Sequence, residues 1–96
     1  MQKAQQKKIN VLALYAGFQT GKISRRITPI RFQLDSGDVH HIRKIRRTYT
    51  DRVGSTRHIH FVLETKGHRF FDIVYDSEEM LWYMVVELEE ELFFNE

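Results

Sequence analysis

The run Arg43-Lys44-Ile45-Arg46-Arg47, continued by Arg52, Arg57 and Arg69, is the densest set of side chains in this chain able to do chemistry. Guanidinium and ammonium groups at this density neutralise phosphates or carboxylates, and the ring faces of Tyr49, Phe70 or Tyr83 could stack on unpaired bases between them. The partner expected from such a set is anionic: single-stranded nucleic acid, an acidic protein, or the acidic end of a second copy in a homodimer. The alternative is that these cations pair with acids of their own chain across neighbouring strands.

The five histidines are His40, His41, His58, His60 and His68. His58 and His60 stand two apart, so on a strand both imidazoles point the same way. A third ring from a neighbouring strand, His40 or His41, could in principle complete a metal site with them. No carboxylate stands at a ligand spacing, so the expectation is exposed histidines on a polar sheet face and no metal or other cofactor.

Nothing in the sequence builds a catalytic constellation. Ser24, Ser36, Ser55 and Ser77 all fall in connectors or turns. The segment from Gly17 to Lys22 has three residues between its glycines where a phosphate loop needs four, and Ile23 follows Lys22 where a hydroxyl is required. Glu87 to Glu91 reads as a solvated charge run. A non-catalytic binding domain is therefore expected, with a protein-interaction or self-association module as the alternative.

The charge distribution sharpens this. Residues 1–69 hold all fifteen Lys and Arg with four acids, a balance of +11; residues 70–96 hold nine acids and neither Lys nor Arg, a balance of −9. The two parts can attract each other or present a basic face to a partner. Ninety-six residues without cysteine make one small domain with no disulfide or thiolate chemistry, which fits a reducing cytoplasm. No run of eighteen apolar residues occurs, so no membrane-spanning helix is expected. Lys7 and Lys8 before an apolar stretch look superficially like a leader, but no small-residue cleavage site follows.

The elements that must position these residues centre on Arg69 to Leu88. Phe71, Ile73 and Tyr75 repeat with period two, and Met80, Trp82, Met84, Val86 and Leu88 repeat likewise after the break Asp76-Ser77-Glu78-Glu79. Two such runs around a polar loop read as a β-hairpin. A helix over 77–94 competes, since Asp76 and Glu79 have capping-box spacing and Leu81, Val85, Leu88 and Leu92 would form a stripe. The aromatic and β-branched content favours the strand.

Upstream, residues 1–8 are expected to fray, and Ile9 to Phe18 reads as a short helix with a strand as alternative. Gly21 to Arg26 reads as a connector. Ile27 to Leu34 is a strand with Ile30, Phe32 and Leu34 inward and Pro29 near an edge. Asp35 to Asp38 is a turn. In Val39 to Arg52, the spacing of Val39, Ile42, Ile45 and Tyr49 requires a β-bulge if a long strand is to keep them on one face. A turn at Val53 to Thr56 leads into His58 to Thr65, with Ile59, Phe61 and Leu63 inward and His58, His60 and Glu64 outward. Lys66 to His68 turns into the hairpin, and Leu92, Phe93 and Phe94 fold back. The predicted fold is mainly β: an antiparallel meander of about five strands in a partly open barrel, folded core 27–88, with a short N-terminal helix or tail.

Pro29-x-x-Phe32 and Gly37, with Tyr75-Asp76 and Trp82-x-Met84 in the last hairpin, resemble small bacterial β-domains that carry no settled activity. The alternative order, four strands then a helix, resembles in topology the PUR-repeat, whirly-like and PC4-like folds. That resemblance implies single-stranded nucleic-acid binding and transfers no residue roles.

Overall fold

A computed structural model describes residues 6–17 and 26–89. Six antiparallel strands follow one another, β1 (Lys7–Tyr15), β2 (Ile27–Gln33), β3 (Val39–Val53), β4 (Thr56–Thr65), β5 (Phe70–Asp76) and β6 (Leu81–Leu88). They pair in chain order, and β1 meets β6 to close a barrel. The meander follows from the short turns. Gly37 and Gly54 take positive φ in two of them, and Asp76 accepts the N–H groups of Glu78 and Glu79 in the last. Among the described residues no helix is long and apolar enough to cross a membrane.

The interior is filled by Ile9, Phe32, Phe61, Leu63, Phe71, Ile73, Tyr75 and Trp82. Strict alternation delivers most of them. Phe61 faces Ile73 across the β4–β5 ladder and Tyr75 faces Trp82 across β5–β6, and directly opposed residues share a face. The hairpin of β5 and β6 is as expected, and residues 81–88 are strand. The competing helix does not form there; its last residues, and the fold-back of Leu92, Phe93 and Phe94, lie outside the described residues.

Several expectations need correction. The segment read as a helix from Ile9 is β1, which starts at Lys7 and supplies the sixth strand, so Lys7 and Lys8 are not frayed. Ile9, Val11 and Ala13 contact the core while Leu12 and Leu14 are exposed on the other face. Ile30 is exposed because it is the extra residue of a bulge, skipped where Leu12 pairs with Arg31 and Ala13 with Pro29; Pro29 is buried in its stead. A bulge in β6 likewise omits Val85, so Met84 packs on the core but Val86 is exposed, and Met80 belongs to the turn.

Two seams are short. β1 and β6 pair over Lys7–Ile9, and β2 and β3 over Arg31–Gln33. From Ile42 onward the ladder of β3 runs to β4 alone. Thr48 and Thr50 sit opposite Phe61 and Ile59, hence on the inward face, yet both are exposed. The wall is open on that side of the barrel.

Candidate functional site

Most of the basic residues lie on β3, which is bulged twice, the first time as the spacing of Ile42 and Ile45 requires. The register slips between Ile42 and Lys44 and again between Ile45 and Arg47, so Arg43 and Arg46 are the two extra residues. A bulge re-aims the extra side chain, and both of these go to the same acid. Arg46 Nη2 donates to Glu64 Oε1 at 2.9 Å, and Arg43 Nη1 lies 3.3 Å from Oε2. His68 Nδ1 approaches Oε2 at 3.6 Å. Glu64 is buried, with a side chain only 6% exposed. The Arg46 hydrogen bond holds its carboxyl below the ordinary value against the opposing effect of burial. Ile42 and Ile45 pack on the core, but the four apolar residues of β3 do not share a face. Val39 is exposed, and Tyr49 lies on the outer face opposite His60.

Tyr49, His60 and Asp72 form a cluster across three strands. The tyrosine ring lies flat on the imidazole, with centroids 4.4 Å apart and planes 9° from parallel. Its hydroxyl reaches past His60 to donate to Asp72 Oδ2 at 3.0 Å, while His60 Nδ1 sits 3.1 Å from Asp72 Oδ1. Burial first, then the charge of Asp72 and its hydrogen bond, push the Tyr49 phenol up to about 12. Arg47 stands over the tyrosine ring at 5.2 Å. On the same face His58 Nε2 lies 3.4 Å from Asp76 Oδ2.

His58 and His60 therefore do face outward but are buried, not exposed, because each is drawn onto an aspartate of β5. Among the described residues no three potential ligands converge on a metal. At one end of the barrel Arg69 grips Glu87 through two hydrogen bonds of 2.8 and 2.9 Å. There His40 stacks on Phe32 with its Nε2 buried and unbonded, and burial followed by Arg69 lowers its pKa.

Of the expected anion-binding residues, Arg43, Arg46 and Arg69 are thus committed to internal carboxylates. Phe70 and Tyr83 are buried at 3% and 8% exposure, and Tyr49 is covered on one face by His60. Lys44, Arg52 and Arg57 are exposed and make no ion pair with a described residue. Arg52 and Arg57 also stand directly opposite each other at the end of the β3–β4 ladder. Sequence reasoning saw the cations but not this pairing, which depends on the register set by the turn at Gly54. Nor did it foresee the groove of about 560 Å³ that Arg31 and His41 border with Leu12 and Val39 on the outer face of β1–β2–β3. A second cleft, of about 270 Å³, opens where β2 and β3 part, between Thr28, Pro29 and Ile30 on one side and Ile42 to Ile45 on the other.

Comparison with protein-family models, with curated proteins and with solved structures finds no match.

Proposed function

We propose that this domain is a non-catalytic binding module for an anionic partner, and that an acidic stretch of polypeptide suits its surface best. The supporting observation is the pair Arg52 and Arg57, exposed residues directly opposed across a ladder, neither in an ion pair with a described residue. Like charges in that relation are destabilising by a few tenths of a kcal/mol to about 1 kcal/mol. A bound anion relieves the repulsion. Lys44 is a further exposed cation on β3, on the opposite face of the sheet.

The polypeptide reading is favoured over nucleic acid by what surrounds the cations. Stacking on bases needs free ring faces, and Phe70, Tyr83 and one face of Tyr49 are already covered. The exposed surface of β1–β2–β3 instead offers aliphatic side chains, Leu12, Leu14, Ile30 and Val39, beside Arg31 and His41. Aliphatic groups beside cations suit a chain that alternates acidic and apolar residues. Phosphate contact through Lys44, Arg52 and Arg57 is the competing reading, since phosphates would satisfy the same three groups.

Titration of a labelled acidic peptide and of a labelled oligothymidylate against the native protein and Arg52→Gln/Arg57→Gln separates these readings. The expected result is peptide binding that weakens in the double variant, while the variant unfolds at the same or a higher urea concentration than the native protein. Tight oligonucleotide binding with no peptide binding would transfer the site to nucleic acid. A variant that binds both probes as well as the native protein would remove the arginine pair from the site.

A further inference from the structure

Resting on the reading of an acidic polypeptide partner, we propose that an extended acidic segment of that partner adds as a strand to the edge of β3 at Ile42–Ile45, in the slot where β2 and β3 separate. Three features of the slot point there. First, β2 and β3 pair over Arg31–Gln33 and then diverge, so the edge of β3 at Ile42, Arg43, Lys44 and Ile45 has no strand partner on that side among the described residues. Backbone groups along such an edge are a template for an added strand. Second, the slot is a real cleft of about 270 Å³ whose walls include buried Pro29 and the core-packed Ile42 and Ile45. Alternate side chains of a guest strand point to opposite faces, so apolar ones can enter the cleft while the others remain outside. Third, Lys44 at the rim is exposed and makes no ion pair with a described residue, which selects carboxylates for the outer positions.

The opposite wall decides which host strand does the pairing. Pro29 has no N–H to give, so β2 offers an interrupted ladder and β3 carries the hydrogen bonds. Pro29, the two bulges of β3 and its cations are also devices that protect an edge from arbitrary strands. A slot defended in this way favours an acidic guest and repels a basic one. Phosphates can accept from backbone N–H groups but cannot answer an edge's alternating donors and acceptors, which is why the slot assigns a polypeptide.

The test uses the full chain and two fluorescein-labelled peptides of sequence EVEVEVE, one with its central valine N-methylated. The two share charge and nearly all apolar surface, but the second lacks a backbone donor and crowds the guest edge. The native protein is expected to bind the unmodified peptide about tenfold more tightly or better, as the loss of one or two net hydrogen bonds implies. Lys44→Gln should weaken the unmodified peptide, and amide exchange within 42–45 should slow when it binds. Equal binding of both peptides would overturn strand addition while leaving an acidic partner bound by charge alone. Binding of neither peptide, with binding of an oligothymidylate, would overturn both the strand addition and the acidic-polypeptide reading. No binding of any probe would overturn them too, together with the anionic-partner reading.

Discussion

At the scale of single residues, much of the basic character is paired within the chain. Glu64 collects Arg46, Arg43 and His68, and Arg69 closes on Glu87. The carboxyl of Glu64 is held below its ordinary value of 4.5, chiefly by the Arg46 hydrogen bond. The unfolded chain therefore binds a proton at higher pH than the folded one. The contribution of Glu64 is complete above the unfolded value and is lost as pH falls through the folded value. The urea midpoint should accordingly drop as pH goes below about 4.5, and Glu64→Gln should reduce that dependence. An unchanged pH profile in the variant would mean that Glu64 is not the group responsible. Tyr49 makes a second residue-level case. Asp72→Asn removes the charge that helps hold its phenol at about 12. Ultraviolet titration, differenced against Tyr49→Phe, should show this tyrosine ionising nearer its ordinary value of 10.0 in the variant. Trp82, 6% exposed in the core, sets the packing scale. Trp82→Ala should cost about 3–5 kcal/mol by denaturant unfolding, and a loss under about 1 kcal/mol would place the indole outside the core.

At the scale of elements, the open side of β3 has a measurable signature. Amides of β3 between Ile42 and Ile45 should exchange with solvent faster than those of β4 and β5, which are bonded on both sides. Uniformly slow exchange along β3 would show that its edge is already occupied. β3 itself was legible in the sequence, because Ile42 and Ile45 stand three apart in a β-branched run after a turn, and only a bulge reconciles those facts. The hairpin of β5 and β6 was legible for the same kind of reason. β1 was not, because Leu12 and Leu14 lie exposed on the outer face. Their apolar side chains fill in the alternation of Ile9, Val11 and Ala13 and imitate a helical stripe. The outward face of β4 was read correctly, but its burial was not. His58, His60 and Glu64 are polar residues that a single strand shows as a wet face, and only the aspartates of β5 and the arginines of β3 bury them. The Arg52–Arg57 opposition required the register of a turn, which residue types alone do not supply.

At the scale of the whole molecule, the basic and acidic parts of the chain meet among the described residues, since β4 of the first pairs with β5 of the second. His58 with Asp76, His60 and Tyr49 with Asp72, and Arg69 with Glu87 all cross that division. Among the cations the acids leave over are Lys44 beside the cleft between β2 and β3, and Arg52 and Arg57 at the end of the β3–β4 ladder. An anionic partner bound there should dissociate as salt is raised, and the slope should be shallower for Arg52→Gln/Arg57→Gln than for the native protein. The most direct measurement is a residue-resolved map of ¹H–¹⁵N shift changes as the EVEVEVE peptide is titrated into the ¹⁵N-labelled protein. Changes concentrated at 27–30 and at 42–45 are the predicted result. Changes confined to the β5–β6 side, or spread evenly over the barrel, would contradict it.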